Sequence, residues 1–231
     1  MYKITMILLL LPSLVLADGT GNVYGGIRAS QRHMGFKSGL GSHMFAKTMN
    51  QLSLVGGLNF NSWLGTELSI YSTDNTKRKT TITFGKSELG VTNFSGAGDD
   101  SYTTFAKIFG STVQITARYE FLDTLNAFIA AGVNLGQLKV RANMTQNDSL
   151  PATALEQTNN RIVQKRIRLF AMCTTGINYR ISDSIGIRFD IGFERTRKLK
   201  MHFETLASAP NKYHLDPQNS VVYGLTIYFT A

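Results

Sequence analysis

From Ser184 to Arg195 the chain alternates without a fault: Ile185, Ile187, Phe189, Ile191 and Phe193 fall on one face, Gly186, Arg188, Asp190, Gly192 and Glu194 on the other. A period of two belongs to a strand whose successive side chains leave opposite faces of a sheet. The same period predicts seven further strands. The first runs from Asn22 to Arg32, with Val23, Gly25, Ile27 and Ala29 opposing Tyr24, Gly26, Arg28 and Ser30. The second, Gln51 to Phe60, sets Leu52, Leu54, Leu58 and Phe60 against Ser53, Val55, Gly57 and Asn59. In the third, Trp63 to Thr73, Leu64, Thr66, Leu68 and Ile70 oppose Gly65, Glu67, Ser69 and Tyr71. The fourth ends at Phe121, with Val113, Ile115, Ala117, Tyr119 and Phe121 opposing Thr112, Gln114, Thr116, Arg118 and Glu120. The fifth sets Ala127, Ile129, Ala131, Val133 and Leu135 against Asn126, Phe128, Ala130, Gly132 and Asn134. Its register breaks near Gly136, where Leu138 and Val140 change parity, which predicts a β-bulge or a strand leaving the membrane. The sixth opposes Ile167, Leu169, Ala171, Cys173, Ile177 and Tyr179 to Arg166, Arg168, Phe170, Met172, Thr174, Gly176 and Asn178. The last, Ser220 to Thr230, opposes Val221, Tyr223, Leu225, Ile227 and Phe229 to Val222, Gly224, Thr226 and Tyr228.

The connections alternate in length. Short ones (Asn61 to Ser62, Leu122 to Thr124, Ile181 to Asp183) interleave with long ones at His33 to Asn50, Asp74 to Thr103, Ala142 to Val163 and Leu199 to Asn219. Short turns on one rim and long loops on the other mark an all-β, eight-stranded antiparallel up-and-down transmembrane β-barrel. The segment Thr80 to Thr92 has β-forming residues of its own, either a hairpin raised above the membrane or an added pair that would make ten strands. The rival is a secreted barrel of lipocalin type, which shows the same alternation inside out. Two further features oppose it. Gly57, Gly65, Gly132, Gly176, Gly186, Gly192 and Gly224 all lie on the polar wall, where a crowded interior needs small residues. Aromatic residues Phe60, Trp63, Tyr119, Phe121, Tyr179 and Phe229 gather at the short-turn ends, as an interfacial girdle requires.

Composition agrees: 4 Pro, 21 Gly, 14 Phe and 9 Tyr suit many strands in one domain. The first 17 residues read as an export signal, with Lys3 ahead of the apolar run Met6 to Leu16 and a cleavage point after Val15-Leu16-Ala17. That run falls short of the roughly 20 residues a spanning helix needs, as does every later segment. Residues 18–231 are then the barrel domain. The lone Cys173 reads as a small apolar filler.

With these residues in view, the chain resembles the outer-membrane β-barrel superfamily typified by the transmembrane domain of outer membrane protein A and the opacity-type surface proteins. The likeness lies in Phe60-Asn61-Ser62-Trp63-Leu64-Gly65-Thr66-Glu67-Leu68, in Gly176-Ile177-Asn178-Tyr179, and in the closing Tyr223-Gly224-Leu225-Thr226-Ile227-Tyr228-Phe229. It implies a bacterial outer-membrane location with both termini periplasmic and the long loops extracellular. It also implies recognition of the C-terminal strand by the barrel-assembly machinery, although here Thr230 and Ala231 follow the aromatic signal.

A barrel of eight strands encloses only its own side chains. The polar walls bring Arg28, Arg118, Arg168 and Arg188 against Glu67, Glu120, Asp190 and Glu194, a balance that predicts cross-lumen ion pairs. Arg28, Glu67, Arg118, Glu120, Arg188 and Asp190 are the expected network, a structural plug or the gate of a small pore. The net charge of +9 concentrates at the long-loop rim: Lys165, Arg166, Arg168, Arg195, Arg197, Lys198 and Lys200, joined by Lys77, Arg78 and Lys79. Cations there face an anionic leaflet, so lipopolysaccharide phosphate is the expected partner, with a host polyanion a weaker reading and nucleic acid not expected. No cofactor or metal is implied, since His33, His43, His202 and His214 do not stand at ligand spacing. Ser42-His43 and His202-Phe203-Glu204 are the only hints of a hydrolytic site, so a lipid A acyl hydrolase is the enzymatic alternative. The leading expectation is a surface protein whose loops meet a host ligand or the envelope.

Overall fold

The computed structural model describes residues 22–38, 46–82, 87–88, 91–92, 100–145, 162–195, 201–203 and 213–230. The predicted export signal lies outside them. Eight long strands form the wall: β1 (Asn22–Ser38), β2 (Thr48–Asn59), β3 (Leu64–Thr73), β7 (Asp100–Leu122), β8 (Leu125–Thr145), β9 (Ile162–Arg180), β10 (Ile185–Arg195) and β12 (Tyr213–Thr230). Each pairs antiparallel with the next, and β12 returns to pair with β1, so the sheet closes on itself. Four short strands stand outside this ring. β4 (Thr76–Ile82) extends the sheet along β7, β11 (Met201–Phe203) along β12, and β5 (Ser87–Glu88) pairs only with β6 (Val91–Thr92). The segment Thr80 to Thr92 thus adds no strands to the wall.

The three short turns and both ends of the described chain gather at one rim, where Tyr24 pairs with Thr230 and Asn22 with Asn59. Local chemistry makes the first of these turns. Asn61 Oδ1 accepts the backbone N–H groups of Trp63 at 3.1 Å and Leu64 at 2.7 Å, and Phe60 N–H closes the turn onto Leu64 O at 2.9 Å.

The wall is inverted relative to a water-soluble protein. Leu54 is 65% exposed, Ile167 64% and Phe189 61%, whereas Arg32 and Glu194 are each 1% exposed. An apolar surface of this extent around a closed ladder requires hydrocarbon as its solvent, since hydrocarbon tolerates only backbone whose polar groups are all paired. A lipocalin-like barrel, greasy within and wet without, is thereby excluded.

Two expectations about individual strands need correction. First, β8 carries no bulge at Gly136: its ladder with β7 runs unbroken through Gly110–Gly136, Phe109–Gln137 and Ile108–Leu138. Leu138 and Val140 keep the inward parity and are 2% and 0% exposed. The inner face itself turns apolar there, where Met34, Met49 and Ile108 join them. Second, strands continue beyond their expected ends. β1 reaches Ser38 past an irregularity between Met34 and Phe36, β7 begins at Asp100, and β12 at Tyr213. Outside the membrane both faces of a strand can be polar, so the period of two disappears while the hydrogen-bonded ladder persists.

Crowding inside explains the inward glycines. A Cβ on Gly57 would lie 2.1 Å from Tyr24 Cζ, and one on Gly186 2.2 Å from Tyr228 Cζ, so the hydroxyl end of each ring occupies the space a side chain on the neighbouring strand would need. Gly57→Ala should therefore lower unfolding stability by about 1–3 kcal/mol. Urea titration of the protein in lipid vesicles, followed by the fluorescence of its one tryptophan, Trp63, measures this. A midpoint equal to that of the parent would refute the contact.

Candidate functional site

Among the described residues three ion pairs lie within the lumen, each with one partner on the same strand, β10. Residues 188, 190 and 194 rise along one inward face of that strand, and β1 and β3 present the opposite charges. Nearest the short-turn rim, Arg188 Nη1 donates to Glu67 Oε2. Glu67 also accepts Tyr24 Oη–H at 2.7 Å and Gln114 Nε2–H at 2.8 Å, so both carboxylate oxygens are engaged. Arg188 Nε donates to Asn178 Oδ1 at 2.7 Å. Its guanidinium lies 4.7 Å from the ring centre of Phe128, with the rings of Tyr24 and Tyr228 at 5.5 and 5.8 Å. A cation inside this aromatic collar gains quadrupole attraction as well as its ion pair.

Higher in the lumen, Arg28 holds Asp190 through Nη2 to Oδ1 and through Nε to Oδ2 at 3.1 Å. The guanidinium occupies space left by Gly224, whose Cβ would meet Arg28 Nε at 2.3 Å. Above that, Arg32 and Glu194 form the most enclosed pair. Nη1 donates to Oε2, and Nη2 to Oε1 at 3.0 Å. Ser220 Oγ and Asn134 Nδ2 complete the carboxylate at 2.8 and 2.7 Å, and Gln51 Oε1 accepts from Arg32 Nε at 3.1 Å. Tyr71 Oη–H in turn donates to Asn134 Oδ1 at 2.8 Å, with its ring 5.1 Å below the Arg32 guanidinium. Met34, Met49, Ile108, Leu138 and Val140 close the lumen beyond this tier.

The six expected network residues are placed as follows. Arg28 and Asp190 form one pair, Glu67 and Arg188 another. Arg118 packs its guanidinium 5.7 Å over Tyr24, with no ion pair among the described residues. Glu120 is exposed, one residue before the irregular end of β7, where the register slips between Glu120 and Leu122. It stands apart from the ion-paired tiers because the strand has already reached the rim. Arg118 and Glu120 line an open cavity of about 550 Å³ at the short-turn rim, together with Arg180, Asp183 and Asn126, and its floor is Arg188 and Tyr24. Sequence reasoning omitted Arg32, which it had placed at the end of a strand. Arg32 shares the parity of Arg28, and that parity was the available signal.

All six girdle aromatics, Phe60, Trp63, Tyr119, Phe121, Tyr179 and Phe229, are at least half exposed near the short turns. Tyr119 and Phe121 meet edge to face at 5.1 Å. Of the basic rim, Arg195 is exposed at the end of β10, whereas Arg168 has the inward parity of Phe170 and is half-buried. Lys165 and Arg166 lie on β9, and Arg197, Lys198 and Lys200 fall outside the described residues. Ser42, His43 and Glu204 of the possible hydrolytic site are outside them as well. Among the described residues no three His, Cys, Asp or Glu side chains gather as a metal site.

A fully engaged buried ion pair gives geometry more than stability, but removing one member leaves a stranded charge. Arg32→Met should cost about 3–5 kcal/mol, while Arg32→Met with Glu194→Leu should restore most of that loss. Equilibrium unfolding of both variants in lipid vesicles provides the measurement. Equal damage by the single and double changes would contradict the pairing.

No protein-family model matches the chain, and no curated protein sequence does. Solved structures do match. The outer membrane protein OprG of Pseudomonas aeruginosa aligns over 92% of this chain and 96% of its own, with a TM-score of 0.59 and 13% identity. A major outer membrane protein of Thermus thermophilus aligns over 90% and 99%, with a TM-score of 0.54 and 12% identity. At such identities the likeness is one of fold, and the fold is that of the outer-membrane barrels.

Proposed function

We propose that this chain, folded as the outer-membrane barrels are, is an integral surface protein of a bacterial outer membrane, exported on its first 17 residues. Its barrel serves as a closed scaffold and its long loops make the contacts, in envelope structure and in surface interaction or adhesion. The short-turn rim and both termini face the periplasm, and the long connections face outward. The C-terminal strand engages the barrel-assembly machinery. The observation that carries this reading is the filling of the lumen. Three ion-paired tiers beneath an apolar layer leave the interior occupied by side chains, so function falls to the surface. The cations Arg195, Arg197, Lys198 and Lys200, with Lys165 and Arg166 before them and without the inward Arg168, supply a rim suited to lipopolysaccharide phosphate.

Refolded protein should bind host cells and lose that binding after limited proteolysis trims the long loops. Undiminished binding would remove loop-mediated adhesion from the reading.

The cavity of about 550 Å³ at one end of the lumen favours a second reading, a gated pore whose gate is Glu67 and Arg188. In planar bilayers the scaffold reading expects negligible conductance from the parent and from Glu67→Ala, because two ion-paired tiers and the apolar layer remain above. Discrete openings in the variant alone would favour the pore. The acyl-hydrolase alternative is tested by the mass of lipid A from cells with and without the gene. An acyl chain missing only where the gene is present would establish the enzyme.

A further inference from the structure

The outer wall follows one rule until the last rungs of β7 and β8. Rising along β7, the outward positions are Ile115, Val113, Ser111, Phe109, Lys107 and Phe105, and along β8 they are Val133, Leu135, Gln137, Lys139 and Arg141. Above Phe109 and Gln137 cations enter the outward positions. Lys107 is the register partner of Lys139, and Lys139 that of Lys165. One rung higher, Phe105 lies between Arg141 on β8 and Lys77 on β4. Register partners in an antiparallel sheet share a face, and like charges directly opposed destabilise the pairing. Among the described residues Lys77, Lys107, Lys139 and Arg141 form no ion pair, and the nearby Asp74 is engaged by Thr76 Oγ1–H at 2.8 Å and Asn50 Nδ2–H at 3.1 Å.

These cations also enclose a space. Lys107, Lys139, Arg141, Phe105 and Asn75 line an open cavity of about 180 Å³ on the outer wall. The Arg141 guanidinium sits 5.9 Å over the Phe105 ring, which orients it, and Lys139 and Arg141 are half-buried. Directly below, Phe109 is 55% exposed, Leu135 42% and Ile167 64%. The result is a cationic pocket on top of an apolar strip, with the strip continuous with the lipid-facing wall.

We infer that this pocket binds the phosphate groups of a membrane glycolipid, whose acyl chains lie along the strip beneath. Charge complementarity selects the phosphate, since guanidinium and ammonium groups are its usual partners. The adjoining apolar strip selects a lipid over a free anion. The site is built on β7 and β8, beside the β9 rim cation Lys165 and apart from Arg195 on β10. It rests on the outer-membrane orientation proposed above for the identity of the leaflet.

The full mature chain, refolded into nanodiscs of phosphatidylcholine, is titrated with diphosphoryl lipid A, with its dephosphorylated counterpart and with inorganic pyrophosphate, and retained lipid is read by native mass spectrometry. The parent and Arg180→Gln, which lies at the opposite rim, should retain diphosphoryl lipid A over the dephosphorylated form. The triple variant Lys107→Gln, Lys139→Gln, Arg141→Gln should retain about tenfold less or lower still. Equal retention of both lipids by the parent would overturn the inference without recourse to any variant. Equal retention of diphosphoryl lipid A by the triple variant and the parent would overturn it too. Pyrophosphate that displaces the lipid at equal concentration would show a free-anion site and would also overturn it. Failure of the parent to enter any bilayer would instead defeat the outer-membrane reading, and the inference with it.

Discussion

A backbone in hydrocarbon has no water to satisfy its N–H and C=O groups, so every one must be paired within the protein. Closing eight strands by the pairing of β12 with β1 meets that constraint, and the rest of the molecule follows from it. The outward positions must be apolar because their solvent is apolar. The inward positions inherit the remaining polar and charged residues, and they do so in a cylinder too narrow to hold much besides side chains. Arg32, among the largest fully buried side chains, therefore sits in the centre of the protein while isoleucines and phenylalanines cover its surface.

Enclosed charge sets the internal design. An arginine away from water needs a carboxylate, and the carboxylate needs donors for its remaining lone pairs. Around Glu67 and Glu194 these donors are hydroxyls and amides drawn from several strands, so each tier ties distant parts of the barrel together. Space is the companion constraint. Where an aromatic ring or a guanidinium crosses the lumen, the neighbouring strand presents glycine, as Gly57 does beneath Tyr24 and Gly224 beneath Arg28. The glycines and the bulky groups are thus one feature seen from two strands.

The two ends of the barrel differ in chemistry. At the short-turn rim an aromatic girdle surrounds a polar cavity, whose floor is the lowest ion pair. Toward the long loops the lumen ends in methionine, isoleucine, leucine and valine, while the outside wall acquires lysine and arginine on β7 and β8. Charge has moved from the inside of the sheet to the outside within a few residues. That inversion fits a boundary where hydrocarbon gives way to headgroups, because outward cations are tolerated once phosphate and water surround them.

The alternation of Ile185 to Phe193 with Gly186 to Glu194, and its counterparts in seven other segments, was enough to locate the eight wall strands and the face that meets lipid, while their full extents and the place of Thr80 to Thr92 were left to the structure. Each of these is a local property, carried by a repeat of two residues and by the lengths of the turns. Partners within the lumen were not legible. Arg28 meets Asp190 across 162 positions of sequence, and Glu67 meets Arg188 across 121. Such pairs depend on how strands stagger around a closed cylinder, which no single segment encodes. Arg32, Leu138 and Val140 are a different case: each keeps the inward parity of its own strand, but a period of two does not say how far a strand runs or where its inward face turns from polar to apolar. Tertiary structure decided which buried charges meet, where the lumen turns apolar, and where Lys107 and Lys139 on neighbouring strands come to share one outward rung.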